Sequence, residues 1–318
     1  MKVVSAIKRV PESIKNHFEQ QFNQVEFVFC HGIKEAEPYL SEADIFVTYG
    51  EDLNPERIEK ARQLKWIMVL SAGMDKMPFR EIHKRNILVT NVRGIHAQPM
   101  AEYAISMLLQ VSRKAKTLIE QEKKHVWNRR PVMNEVSGKT MVILGTGAIS
   151  QETARLAQAF RMKTIGVSRS GENKAHFDET YRVDQLNHVL PRADFIVAAL
   201  PSTKETQYLL KSEHFRAMPE HAVFLNMGRG DLVSTDVIME AVRDRYIEHA
   251  VLDVFEEEPL PEDHPLWNEE HVTVTPHISG ISPFYMPRAF DRFEENLHIY
   301  LEGKEEELHN KIDPKRGY

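Results

Sequence analysis

Three short segments carry residue types that do chemistry. FLNMGRGDLV (224–233) sets Arg229 between two glycines, LDVFEEEPLP (252–261) carries Asp253 and Glu258, and TVTPHISG (273–280) carries His277. Arginine grips an anion through a planar fork of N–H donors. Histidine moves protons near neutral pH. In each segment the polar residue follows an apolar, β-branched run, so all three lie beyond the carboxyl ends of strands, where doubly wound sheets bind ligands. Taken singly, each has an ordinary explanation. A lone histidine is mostly structural or solvated, and Glu256 and Glu257 read as residues of a wet loop.

A fourth segment, ILGTGAIS (143–150), joins a buried-strand pattern, KTMVILG, to a helical pattern, AISQETARLAQAF. Gly145 permits a tight turn there. Gly147 lets the backbone approach a pyrophosphate, which a helix N-terminus favours. Ser150 stands where a third glycine would ease helix–strand packing. A plain βα turn with two glycines is the alternative. The next strand ends in Ser168-Arg169-Ser170, where an NAD site places an acid for the ribose diol. An arginine flanked by hydroxyls suits a ribose 2′-phosphate instead. A solvated turn arginine is the other reading.

Strand and helix patterns alternate around these segments. KVVSAI, VEFVF, DIFVTYG, KWIMVL and ILVTN are strand-like runs in the first 90 residues, with helical stretches at 11–22 and 54–63, the latter opened by Asn54-Pro55. Met100, Tyr103, Ala104, Met107, Leu108, Val111 and Leu118 predict one long helix over 99–120. HVWNRRPVMNEVSG has no period and reads as an arm; Trp127 and Arg129 in it are open to pocket-capping, dimer-forming and packing roles. The alternation resumes with KTMVILG, 148–160, KTIGVS, DFIVAAL, AVFLNM, HAVLDVF and VTVTP. A last helix, 284–303, presents Phe290, Phe293, Leu297, Tyr300 and Leu301 on one face and is expected to return to the first domain. The expectation is two doubly wound α/β domains.

The 318 residues suit two domains, and a net charge of −6 argues against a nucleic-acid surface. No apolar run has the length to span a bilayer, and the start, MKVVSAIKRVP, reads as a strand and not as a secretory leader. The single cysteine, Cys30, suits a reducing cytoplasm. No Cys/His cluster has metal-site spacing.

LSAGMDKM (70–77), NVRGIHAQPMAEYAI (91–105), GTGAIS, LPSTKETQYLL (200–210), NMGRG, LDVFEEEPLP and TPHISG, in this order, give a chain that resembles the D-isomer-specific 2-hydroxyacid dehydrogenases over nearly its full length. The resemblance implies a Rossmann nucleotide-binding domain (99–283) inserted in a flavodoxin-like substrate domain (1–98 plus 284–318). It implies that Arg229 grips the substrate carboxylate and carbonyl, that His277 is the acid/base, and that Glu258 is its carboxylate partner. Backbone N–H groups around Ala72, Gly73 and Met74 would receive the substrate carboxylate. Ser71 stands where many relatives carry glycine. The cofactor would lie on Gly145, Thr146, Gly147, Ala148 and Ile149, on Ser168, Arg169 and Ser170, and on Leu200, Pro201, Met227, Asp253, His277 and Ser279, with Asp253 holding the nicotinamide amide. The implied reaction is reduction of a small 2-keto acid to the D-hydroxy acid. The cofactor would be NADP, with NAD open, and Ser-Arg-Ser is similar to the glyoxylate/hydroxypyruvate reductase branch. A cytoplasmic homodimer is expected, and the length leaves no room for an appended regulatory domain. The rival is a nucleotide-sensing or corepressor-like binding protein on the same fold, which would keep the same residues.

Overall fold

The structure, a computed structural model, describes residues 1–71, 73–74 and 77–313. The chain divides into two compact units, Met1–Ile95 with Ser282–Tyr318, and His96–Ile281. The sequence puts these joints at 98/99 and 283/284, two or three residues further along.

The first unit begins with β1 (Lys2–Ser5), α1 (Glu12–Gln21), β2 (Glu26–Phe29), α2 (Ile33–Ala36), β3 (Ile45–Thr48), α3 (Pro55–Lys60), β4 (Trp66–Val69), α4 (Phe79–Lys84) and β5 (Leu88–Asn91). The strands are parallel in the order β2-β1-β3-β4-β5, the flavodoxin-like order. Strands covered on both faces need continuous apolar runs, and β3 and β4 are buried at every position. Asn54 caps α3 by accepting the Arg57 N–H at 2.9 Å, with Pro55 pre-set at the first helical position.

The second unit opens on α5 (Ala97–Ser112) and α6 (Ala115–Lys123). The expected single helix breaks here. Ser112, Arg113 and Lys114 interrupt the apolar period, and Lys114 turns the chain at φ +54°, so Leu118 is left exposed. An arm without helix or strand follows, on which Trp127 is 93% exposed. Then come β6 (Thr140–Leu144), α7 (Ala148–Ala159), β7 (Lys163–Ser168), β8 (Glu179–Arg182), α8 (Leu186–Val189), β9 (Phe195–Ala198), α9 (Ser212–Arg216), β10 (Val223–Asn226), α10 (Thr235–Arg243), β11 (His249–Leu252) and β12 (Val272–Val274). All seven strands are parallel, in the order β12-β11-β10-β9-β6-β7-β8. The order reverses between β6 and β9, which makes the crevice at their carboxyl ends the expected ligand site. One face of the sheet packs on α5 and α7 through Ala104, Leu108, Ala154 and Ala157. The other packs on Phe215, Ile238 and Val242 from α9 and α10.

The chain then returns to the first unit as α11 (Tyr285–Leu301). Phe290, Phe293 and Leu297 are buried there among Val3, Phe18, Ile45 and Trp66. The Phe293 ring stacks on Phe18 with centroids 5.4 Å apart. No helix among the described residues is long and apolar enough to cross a membrane.

His249, on β11, gives the second unit an acid-sensitive point. Its Nε2 lies 2.9 Å from Thr273 Oγ1. Burial, and then the charges of Lys116, His271 and Lys114, push its pKa down to about 3 from an ordinary 6.5. The folded state therefore excludes the proton that the unfolded chain binds below pH 6.5. The stability from this group is complete above pH 6.5 and is lost as pH falls from there toward 3. Between pH 7 and pH 5 the loss is on the order of 1–2 kcal/mol. His249→Gln, which cannot titrate, should lose correspondingly less over the same interval in urea unfolding. Equal losses in both proteins would show that His249 is protonated in the fold.

Candidate active site

The loops after β10, β11 and β12 carry the three chemical segments, as the sequence predicts. After β11, the Phe255 N–H donates to Glu258 Oε1 at 3.0 Å. The other carboxylate oxygen, Oε2, lies 2.7 Å from His277 Nδ1. A carboxylate only accepts, so Nδ1 carries the hydrogen of this bond. That leaves Nε2 as the atom able to exchange a proton with a ligand, and the His277 side chain is 52% exposed. The arrangement is an oriented imidazole with its charge partner in place.

His277 has φ +53°, a left-handed conformation for a residue with a Cβ. Such a position costs on the order of 1–3 kcal/mol and persists where its surroundings determine it. Here Asp253 determines it. The His277 N–H reaches the Asp253 carbonyl at 2.9 Å. The Asp253 carboxylate accepts Thr275 Oγ1–H at 2.5 Å and the Ile278 and Ser279 N–H groups at 2.9 Å each. It is fully buried. These bonds make the Asp253 carboxylate the brace of the histidine's turn. Ser279 and Met227 are also buried, beneath the loops.

Arg229 is held by its neighbours' lack of side chains. A Cβ on Gly228 would stand 2.6 Å from the Leu200 carbonyl oxygen, and one on Gly230 would overlap the Phe255 carbonyl at 1.9 Å. Only glycine lets the backbone pass between these two loops. Asn226, buried at the end of β10, accepts the Gly228 N–H at 3.1 Å and donates to the Arg229 carbonyl at 2.9 Å. The Arg229 Nη1 donates to the Gly228 carbonyl at 2.9 Å, and the side chain is partly exposed. Its positive charge adds to burial in lowering the pKa of His96, just before α5.

The nucleotide turn lies at the switch point between β6 and β9. Gly145 has φ +102°, and a Cβ there would stand 3.2 Å from the Ala199 carbonyl oxygen. Gly147 is exposed, and a Cβ on it would meet nothing within 4 Å. Open space beside Gly147 at the N-terminus of α7, where Thr146, Ala148 and Ile149 are also at least partly exposed, fits a pyrophosphate. Ser150 is buried and packs where the third glycine would, so the serine is accommodated. Leu200 and Pro201 continue the crevice beyond β9. Ser168 Oγ accepts the Gly171 N–H at 3.1 Å and Ser170 Oγ accepts that of Glu172 at 3.4 Å. Arg169, between them, is exposed. Thr203 first, and further out the charges of Arg169 and Lys204, hold the Glu205 carboxyl below its ordinary range.

Several positioning residues escape sequence reasoning. Asn226, Thr275 and Tyr103 are polar residues inside apolar patterns, and only their tertiary partners reveal them. Glu256 is more than a wet residue: it accepts from Tyr208 Oη at 3.1 Å and from the Thr235 N–H at the start of α10. In the first unit, Gly73 and Met74 follow β4, half-buried and buried respectively, and Ala72 lies outside the described residues.

Known proteins resemble this chain in sequence and in fold. The model of the NAD binding domain of D-isomer specific 2-hydroxyacid dehydrogenases matches residues 105–279. A glyoxylate reductase of Thermococcus kodakarensis is 32% identical over 253 residues, 76% of this chain and 75% of that one. The solved structure of a D-isomer specific 2-hydroxyacid dehydrogenase family protein from Aeromonas salmonicida superposes with a TM-score of 0.83 at 32% identity, covering 98% of this chain and 99% of the other. An NADPH-dependent glyoxylate/hydroxypyruvate reductase from Sinorhizobium meliloti, solved with NADP and sulfate, gives 0.83 at 27% identity, covering 100% and 99%.

Proposed function

The chain belongs to the D-isomer-specific 2-hydroxyacid dehydrogenase family, a nicotinamide-dependent oxidoreductase family of 2-hydroxy and 2-keto acids, and from that premise we propose that it reduces glyoxylate or hydroxypyruvate with NADPH. The observation that carries the reading is the 2.7 Å contact between His277 Nδ1 and Glu258. In reduction, the carbonyl carbon gains a hydride and its oxygen a proton. His277 gives that proton from Nε2, and Glu258 balances the imidazolium. Arg229 holds the substrate carboxylate and stabilises the developing alkoxide. Asp253 keeps the histidine's turn in place. The amides of Gly73 and Met74 are assigned to the carboxylate by the resemblance. The turn at Gly145–Ile149 holds the pyrophosphate, and the bound nicotinamide supplies the hydride.

A panel of 2-keto acids assayed with NADPH and with NADH tests this. Turnover of none of them, with nucleotide still bound, would favour the sensing-protein reading. The exposed apolar side chains of α6 and the arm, Ile119, Trp127 and Val132 among them, support a homodimer, and the single buried cysteine supports a cytoplasmic protein.

The cofactor choice rests on Ser168-Arg169-Ser170. An acid at Ser168 would accept a ribose hydroxyl and repel a 2′-phosphate. Serine removes the repulsion and Arg169 adds an attraction. The Sinorhizobium meliloti relative is NADPH-dependent. A charge-assisted contact contributes roughly 1.5–3 kcal/mol, tenfold or more in affinity. NADPH should therefore exceed NADH by at least that factor in kcat/KM, and Ser168→Asp with Arg169→Ala should reverse the order. Equal efficiency with both nucleotides, unchanged in the double variant, would remove Arg169 from the cofactor site.

A further inference from the structure

Helix α5 reaches the histidine's turn through a chain of side-chain hydrogen bonds. Tyr103 Oη lies 2.6 Å from Thr275 Oγ1, and Thr275 Oγ1 lies 2.5 Å from Asp253 Oδ1. The carboxylate can only accept, so the Thr275 hydrogen points to Asp253. Thr275 then accepts from Tyr103, and the chain runs one way: Tyr103 to Thr275 to Asp253. Burial pushes the Tyr103 hydroxyl above its ordinary 10, with Asp253 adding to the effect, so it remains a donor at every working pH. At the far end, Asp253 accepts the two N–H groups that follow His277 in sequence, Ile278 and Ser279.

We propose that Tyr103 is a positioning residue for the proton transfer, acting through Thr275 and Asp253 to hold His277 in its left-handed turn with Nε2 facing the substrate. A carboxylate with two backbone donors alone could rotate about its side-chain bonds. The Thr275 hydroxyl fixes which oxygen each amide meets. Tyr103 fixes Thr275 in turn, since a hydroxyl that accepts as well as donates has one orientation left, and each bond in such a chain polarises the next. The sheet and the nucleotide turn do not depend on this chain. The pyrophosphate turn follows a different strand, so the loss is expected to be larger in turnover than in nucleotide affinity. The inference rests on the proposed keto-acid reduction for its kinetic part only.

The test compares the parent with Tyr103→Phe, Thr275→Val and Thr275→Ser, using the best keto acid of the panel and NADPH. Tyr103→Phe should lower kcat about fivefold, the scale of one neutral hydrogen bond. Thr275→Val, which removes a bond to a charged group, should lower it about 30-fold or more. Thr275→Ser restores the hydroxyl and should restore kcat. KM for the keto acid and the Kd for NADPH, read by fluorescence titration, should stay within a factor of about three of the parent. Amide exchange at Ile278 and Ser279 should be about tenfold faster in Tyr103→Phe, with the strands of the sheet unchanged. Lowered melting temperatures with parental kcat and parental exchange would overturn the proposal, as would a loss of NADPH affinity equal to the loss in kcat/KM. If the parent turns over no keto acid, the proposed function fails, and the exchange measurement alone decides this inference.

Discussion

His277→Ala lowers kcat for keto-acid reduction by about 10²–10⁴, the range for loss of a positioned general acid. The geometry gives the size of this effect its reason. The ring is fixed at Nδ1 by a carboxylate that is itself fixed by the Phe255 N–H, so water entering in place of the ring brings neither the orientation nor the charge partner. NADPH affinity should fall far less than kcat, because the pyrophosphate turn follows a different strand and is untouched. Glu258→Gln gives a second, sharper reading. The amide keeps the shape and loses the charge that lies against the ring at Nδ1. A neutral hydrogen bond then replaces a charge-assisted one, so kcat for reduction should fall about tenfold. A Glu258→Gln enzyme with the parental kcat would mean that the contact orients the ring and its charge adds nothing. A His277→Ala enzyme within tenfold of the parent would remove the histidine from the chemistry.

Arg229→Lys is the second large effect. The charge is kept and the two-pronged fork is lost. Arg229 sits where two glycines let the backbone thread between the Leu200 and Phe255 loops, with Asn226 bonded to its carbonyl. The point from which the side chain departs is therefore fixed, and a lysine leaving the same point has neither the planar head nor its two parallel donors. Both kcat and KM should suffer, since the clamp orients the carbonyl as well as binding the carboxylate. The fall in kcat/KM should be on the order of 10², comparable with removing a donor to a developing oxyanion. Steady-state kinetics with the preferred keto acid checks it. Parental kinetics in the lysine variant would leave only a charge requirement at this position.

The elements that bury apolar side chains on two faces could be read from the sequence: KTMVILG or DIFVTYG has no other use for so many β-branched residues. The chemical residues were legible for a related reason, as each follows directly on such a run. Elsewhere local pattern carries too little. β8 is ETYR, a half-exposed edge strand whose Glu179 pairs with Arg192 at 2.6 Å and whose Tyr181 alone packs inward, so nothing in it alternates. The predicted helix over 99–120 overran because Leu118 sits in phase with Leu108 and Val111, whereas the backbone turns at Lys114. Asp253 shows a different kind of limit. An acid after a strand looks the same in sequence whether or not it braces a neighbouring loop, and only Thr275, Ile278 and Ser279, brought to it by the fold, show that it does.

The interruption of the first unit by the second has a consequence for synthesis. A ribosome releases the five strands of the first sheet early, but Phe290, Phe293 and Leu297, which complete the core around Phe18 and Trp66, come after the whole of the second unit. At roughly 5–20 residues per second, the wait is on the order of 10–40 s. During it the second unit has all of its own sequence and can fold, while the first has a sheet with one aromatic face uncovered. The order of birth and the order of completion are thus reversed. A nascent chain stalled between the two events presents that face to whatever is nearby, including the same face on the next chain along the message.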